Sequence, residues 1–443
     1  MILAFCPFVA YRRTRAIFDN NQPGEVKVKR KKKHILDGIR VLDFSQHVAG
    51  PGVTRMMAEM GAEIIKLELA PAGEQIRAVG MKINDRSVYF IQQNRGKKSI
   101  CVDMRTDAGK AIVYDLVKKV DIVLENFAPG AIGRLGLPWE KVHELNPDCI
   151  MCSVSTFGQD GPLATLPGYD FIGQAYAGIT SMIGDQENGP YIPLAALGDT
   201  MTAAHALAAI NAALYERATG GGGQFLDICL LDCYFHCHEM NVGMVSASKG
   251  EYSPMLPGRH HGAVGPLGVF KSKDGYIILI AILGRWKDFV EVMGKPELLE
   301  DPRFVDDAAR AANQNVLTPI IESWLQEQES DAEVIRLLGE RHIPVAPILS
   351  IEQVLQHPHM LERGTVRTVS DRGAGEFQMP GTPLRFSAYA NDLDLQAPYL
   401  GEHTEEILSG LLNMNAEEIS ALVEKGILVR EAIPEAALKA GSQ

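Results

Sequence analysis

An α/β fold built on a parallel sheet is what this sequence predicts. Two observations carry that reading. From residue 38 onward, short buried-strand patterns alternate with helical ones, and the intervening helices have the length of crossover connections. The pattern then changes character after residue 240 and returns to strand-like and helical stretches near the end. Together they describe a Rossmann-like α/β domain with a distinct unit in the middle of the chain.

The elements follow in order. "GIRVLDFS" reads as a first strand, "AGPGVTRMMAEMG" as a turn and helix, and "AEIIKLEL" as a second strand. "KKSICVDM" is a third strand, and "TDAGKAIVYDLVKKV" is an amphipathic helix with Asp107 and Gly109 near its start. "DIVLENF" and "PDCIMCSVSTFG" supply a fourth and a fifth strand. Residues 200–240 read as two long helices around "RATGGGGQFLD", with the glycines as a connector. "VFKSKDGYIILIAIL" predicts a β-hairpin turning at Asp274-Gly275. Helical segments run from Trp286 to Glu340, strand patterns return in "RHIPVAPILS" and "VRTV", and two short amphipathic helices close the chain.

Composition bounds the function. The chain has 443 residues, 46% hydrophobic and 22% charged, which is ordinary for a soluble protein. No apolar run is long enough to span a bilayer, so a membrane partner is not expected. The net charge of −12 argues against a general nucleic-acid binder. The charge is uneven: residues 1–34 hold nine Lys/Arg against two Asp/Glu, and this +7 leaves −19 for the remainder. That segment reads as a disordered basic tail. Its basic residues follow the apolar stretch "MILAFCPFVA", the reverse of a secretory signal; an organelle transit peptide is the secondary reading. Seven cysteines without framework spacing fit a reducing cytoplasm. Cys229, Cys233 and Cys237 recur every four residues, with His236 and His238 between them. Three sulfurs on one helical stripe cannot readily surround a tetrahedral metal, so they read as core and no metal is expected.

The first strand–helix turn, "DFSQHVAGPGVT", lacks G-x-G-x-x-G, so the acidic Glu68 after the second strand does not make a nicotinamide-dinucleotide (NAD) site. One other residue stands out. Asp199 in "PLAALGDTMTAAHALAAINAALYER" opens a helical run among small and apolar residues. Local sequence alone favours a helix N-cap over a nucleophile.

Read in order, the blocks "LDGIRVLDFSQHVAGP", "GAEIIKLE", "NRGKKSICVDM", "DIVLENFAPGAIGRLGL", "PGYDFIGQA", "ALGDTMTAAHA", "RATGGGGQFLDICLLD" and "YLGEHTEEIL" resemble the family III CoA-transferases. This group includes formyl-CoA transferase, carnitine CoA-transferases and α-methylacyl-CoA racemases. The resemblance implies a large Rossmann-like domain built from both chain ends, residues 35–240 and 346–443, and a small domain, residues 241–345. It also implies an interlocked homodimer. The expected reaction moves CoA from an acyl-CoA to a small carboxylic acid, with coenzyme A as substrate and product.

The resemblance makes Asp199 the nucleophile, through an aspartyl anhydride and an aspartyl-CoA thioester. A carboxylate suits this exchange because acid, anhydride and thioester lie close in reactivity, and at its ordinary pKa it is ionised at neutral pH without a base. Asp170 takes a positioning or electrostatic role; its local alternative is a helix cap. CoA contacts are implied at His47, Val48 and Ala49 in the first turn, at Arg105 and Arg134 on the phosphate side, and at Asn126 and Phe127. Without the resemblance, Arg105 and Arg134 read as solvated surface charges. His260, His261, Gly262 and Gly265 in "GRHHGAVGPLG" match an active-site loop, although the contiguous glycines of formyl-CoA transferase are broken up here.

Two departures bear on the alternatives. Leu69 stands where relatives often have a basic residue after Glu68. Tyr169 precedes Asp170 where the racemases have His, so one proton carrier expected of a racemase is missing. A 2-methylacyl-CoA racemase is therefore the second reading, and a non-catalytic CoA-ester-binding subunit the third.

Overall fold

The computed structural model describes residues 34–389, 393 and 395–440. The expected basic tail therefore lies outside the described residues except for His34. That residue is buried, 1% exposed, with its ring against Phe386 and Tyr389.

Six parallel strands form the centre: β1 (Arg40–Asp43), β2 (Glu63–Leu69), β3 (Lys97–Val102), β4 (Ile122–Glu125), β5 (Ile150–Ser155) and β6 (Phe225–Cys229). Their order is β3-β2-β1-β4-β5-β6, the doubly wound Rossmann order. The register is tight: Val41 sits between Ile64 and Ile122 across the β1 neighbours. A short strand from the other end of the chain, Leu428–Val429, pairs antiparallel with Val102 and Cys101 at the β3 edge.

The central strands are apolar throughout because both faces are covered. On one face, α1 (Ala49–Glu59) and the 22-residue α5 (Leu197–Ala218) pack Val53, Met57, Ala206 and Ile210 against Val41, Ile64 and Leu124. On the other, α3 (Asp107–Val117) and two C-terminal helices, Thr404–Leu412 and Ala416–Glu424, pack Val113, Leu116, Ile407 and Ile419 against Leu42, Ile65 and Val123. Between these lie α2 (Val88–Asn94) and α4 (Asp170–Tyr176), and α6 (Leu230–His236) follows β6. Thr106 caps α3, its hydroxyl accepting from the Gly109 N–H at 3.0 Å.

The two long helices expected over residues 200–240 need correcting. Only α5 is long; "QFLDIC" turns into strand β6, and α6 has seven residues. The hairpin is as expected: β7 (Leu267–Lys271) pairs with β8 (Tyr276–Ile280), and β9 (Val345–Pro347) adds a third strand. This small sheet has its own core, around Phe270, Phe289, Phe304 and Trp324. Cys229 and Cys233 are buried, as the core reading requires, whereas Cys237 is exposed. Among the described residues no helix is long and apolar enough to cross a membrane, and no group of three or more His, Cys, Asp or Glu could hold a metal ion.

Candidate active site

The strand order reverses between β1 and β4, and ligands of open α/β sheets bind beyond the strand ends at such a point. A cavity of about 310 Å³ lies there. Its wall includes His47, Val48 and Ala49 after β1, Asn126 and Phe127 after β4, Tyr169 before α4, and Asp199 from α5.

Short-range bonds shape this floor. The Asn126 side chain accepts from the Gln46 N–H at 2.7 Å and donates to the Gln46 carbonyl at 2.8 Å, which ties the two turns together. His47 adopts φ 64°, a left-handed conformation uncommon outside glycine, and its N–H donates to Glu74 Oε1 at 2.8 Å. Gly50 lets the turns approach, since a Cβ there would stand 2.3 Å from Ser45 Cβ.

Beneath the turns lies a buried charge network. Lys66 Nζ pairs with Glu74 at 2.6 Å and donates to the Ser45 carbonyl at 2.8 Å. Lys97 Nζ pairs with Asp43 at 3.0 Å, and Asp43 accepts from Ser45 N–H and Thr54 Oγ1. Burial pushes the Lys97 ammonium down to about 8, opposed by the Asp43 charge. Glu68 lies inside β2, where it holds Arg77 bidentately and accepts from Ser99. It is occupied by the protein's own groups, consistent with the absence of a dinucleotide fingerprint. Burial also pushes the Glu125 carboxyl up to about 7, against bonds from Ser153 and the Phe127 N–H. The Phe127 bond, 2.7 Å long, fixes the second turn.

Asp199 does not cap its helix. The N-cap of α5 is Ala196, and Asp199 occupies the first turn. Its own N–H donates to Asp170 Oδ2 at 3.2 Å. Among the described residues, no donor reaches the Asp199 carboxylate. Burial first, then the charge of Asp170, push this carboxyl up to about 7. The expectation that it is simply ionised at neutral pH is thereby corrected: protonated and ionised forms coexist near pH 7. Asp170 begins α4, 6% exposed, and does not serve as that helix's N-cap, which is Tyr169.

The predicted site residues divide into two groups. His47, Val48, Ala49, Asn126, Phe127 and Asp199 share one cavity, with Asp170 bonded just behind it. Arg105 and Arg134 do not line it. Arg105 points into solvent and forks onto Asp103 at 2.7 Å through both Nε and an Nη. Arg134 is exposed at the end of the short helix Ala131–Arg134. His260, His261, Gly262 and Gly265 lie beside the small sheet and do not line the cavity either. There His260 Nε2 meets Thr318 Oγ1 at 3.3 Å, and His261 Nδ1 accepts from the Ala263 N–H at 3.2 Å.

The profile of CoA-transferase family III matches residues 36–404, most of the chain. The chain belongs to the family III CoA-transferases. Succinyl-CoA:glutarate CoA-transferase of Mus musculus is 32% identical over 399 residues, covering 89% of this chain and 90% of the relative. Formyl-CoA:oxalate CoA-transferase of Streptomyces avermitilis is 31% identical over 409 residues, covering 89% and 99%. Succinyl-CoA–D-citramalate CoA-transferase of Chloroflexus aurantiacus is 32% identical, covering 89% and 98%. A solved CaiB/BaiF family protein from Brucella suis superposes with a TM-score of 0.75 at 32% identity, covering 86% of this chain and all of that one. This transferase is therefore an enzyme acting on CoA thioesters.

Three features of the transferase's site escaped the sequence reading. Tyr89 on α2 has its phenol pushed up to about 12, by burial first and then by the charges of Asp199 and Glu74. Tyr234, 3% exposed, bonds Asp170 from α6. The buried network beneath the turns had a visible signal, since Lys66 and Lys97 are charges inside apolar strand runs.

Proposed function

We propose that this transferase carries its acyl exchange through Asp199, with a short dicarboxylic acid as acceptor. The observation that carries the mechanism is a carboxylate with no hydrogen-bond donor among the described residues, in a cavity at the sheet's switch point. An Asp199 oxygen attacks the donor thioester carbonyl; the C–S bond breaks, leaving a mixed anhydride and CoA thiolate. The thiolate attacks the Asp199 acyl carbon, the C–O bond breaks, and the donor acid departs. Asp199 now holds CoA as a thioester. The acceptor carboxylate attacks this thioester, and the returning thiolate takes the acceptor acyl group, freeing Asp199. No electrons or net protons are exchanged.

In this reading His47, Val48, Ala49, Asn126 and Phe127 hold the CoA ester, with backbone N–H groups at the start of α1 toward its phosphates. Arg105 and Arg134 supply cations at the rim. Asp170 positions the start of α5. The dicarboxylate class is supported by three relatives named for glutarate, oxalate and D-citramalate. Residues 35–240 and 346–443 form the large domain and 241–345 the small one. The active unit is an interlocked homodimer in which the loop bearing His260, His261, Gly262 and Gly265 covers the site. The reducing-compartment reading of the cysteines supports a cytoplasmic location.

The test is peptide mass spectrometry after incubation with succinyl-CoA or formyl-CoA and quenching with hydroxylamine. A donor-dependent hydroxamate at Asp199 is expected. An unmodified Asp199 in an enzyme that turns over would overturn the mechanism. Transfer to monocarboxylates but to no dicarboxylate would overturn the acceptor class.

A further inference from the structure

Tyr234 lies on α6, 64 residues from Asp170 and 36 from Gly198, yet its hydroxyl touches both. The Oη accepts from the Gly198 N–H at 2.9 Å and from Gln174 Nε2 at 3.2 Å. Both of those partners are donors. A hydroxyl has one hydrogen to give, so that hydrogen goes to Asp170 Oδ1. The other Asp170 oxygen accepts the Asp199 N–H. Gly198 is the residue that permits the approach: a Cβ there would stand 2.1 Å from the Tyr234 ring. The "GD" step is thus built around a tyrosine as well as around a nucleophile.

The start of a helix ordinarily offers its free N–H groups to any nearby carboxylate. In α5 two of these N–H groups, those of Gly198 and Asp199, are taken by Tyr234 and Asp170. We propose that Tyr234 is a positioning residue for the nucleophile: it occupies the Gly198 N–H and pins Asp170 on the Asp199 N–H, so the Asp199 carboxylate is kept uncapped. An uncapped, desolvated carboxylate binds a proton more tightly and is the stronger nucleophile when ionised. The inference rests on the reading of Asp199 as nucleophile.

The groups facing Asp199 are Asp170 from α4 and Tyr89 from α2, the phenol of Tyr89 also feeling the charge of Glu74; His47 and Tyr169 line the same cavity. In Tyr234→Phe, Asp170, the Gly198 N–H and Gln174 Nε2 each lose the hydroxyl as a partner, and the ring still packs on Gly198. The freed Gly198 N–H then has the Asp199 carboxylate as an acceptor one residue away. Asp170 loses the bond that holds it against the start of α5, so its charge is free to move away from Asp199. Both changes favour ionised Asp199.

The experiment is a pH titration of the full-length dimer or monomer, as purified, with ¹³C-carboxyl aspartate. The Asp199 resonance is assigned by its loss in Asp199→Asn. In Tyr234→Phe the midpoint is expected to fall by about one pH unit. An unchanged or raised midpoint would overturn the inference, whatever happens to the melting temperature. Transfer activity retained in Asp199→Ala would sink the nucleophile reading instead, and the titration would still report on Tyr234.

Discussion

The raised Asp199 carboxyl makes pH the most direct probe of the reaction. Ordinary aspartate, near 3.8, would be almost wholly ionised throughout the working range of the enzyme. At about 7, the ionised form is roughly a tenth of the free enzyme at pH 6, half at pH 7 and nine-tenths at pH 8. The kcat/KM for the acyl-CoA donor should therefore climb about tenfold between pH 6 and pH 8, then level off. The assay is initial-rate transfer at low donor concentration, with an acceptor carboxylate that stays ionised across the range. Asp170→Asn should move the limb to lower pH without carrying it to 3.8, because burial is the larger cause and remains. A profile flat from pH 5.5 to 8.5 in the wild type would refute the argument. The same shift has a stability consequence with a definite sign. The folded state binds this proton more tightly than the unfolded chain, so stability falls as pH rises from about 3.8 to about 7. The upper bound on that loss is on the order of 4 kcal/mol. Asp199→Asn should therefore melt at a higher temperature than wild type at pH 8, with the difference vanishing near pH 4.

Three further substitutions separate binding from folding. Asn126→Ala breaks both bonds that tie the two turns, so KM for the CoA ester should rise about tenfold with little change in kcat; an unchanged KM would remove the tie from the binding site. Glu74→Ala leaves Lys66 and the His47 N–H without their buried partner, and chemical denaturation should show a loss of about 3–5 kcal/mol. A loss well below that range would mean the network is not needed for folding. Arg105→Ala should leave the melting temperature unchanged, because Arg105 is itself exposed and, among the described residues, forks onto Asp103 two positions away, while raising the KM for the CoA ester. An equal KM would confine Arg105 to that surface pair.

Much of the sheet was legible because parallel strands covered on both faces must be apolar at successive positions, as in "EIIKLEL" and "IMCSVS". Strand β6 was absorbed into a helical stretch for the complementary reason. It is an edge strand with only Cys229 fully buried, so neither continuous apolarity nor strict alternation marked it. The cavity wall could be named in advance only through the resemblance, because its parts come from turns after β1 and β4 and from α5. Sequence distance explains the misses. The Asp170–Asp199 bond spans 29 residues and the Tyr234–Asp170 bond 64, and nothing local in "DCYFHC" distinguishes Tyr234 from a core aromatic. The regularly spaced cysteines are the conspicuous feature of that stretch, yet the tyrosine between them makes the bond.

A helix-cap role for Asp199 and the proposed role as a nucleophile are physically opposed. A capping carboxylate is stabilised by the N–H groups it accepts, which lowers its basicity and its reactivity together. A nucleophilic carboxylate at the same place must be protected from that stabilisation. Here the Tyr234 hydroxyl accepts the Gly198 N–H and Asp170 accepts the Asp199 N–H, the Gly198 hydrogen atom leaves room for the phenol ring, and burial excludes much of the water that would otherwise solvate the charge. The Gly198 and Asp199 N–H groups are satisfied, while the Asp199 carboxylate beside them has no donor among the described residues. In the proposed mechanism the helix terminus presents Asp199 without quenching it, and a loss of stability as pH rises toward 7 is the expected thermodynamic mark of that arrangement.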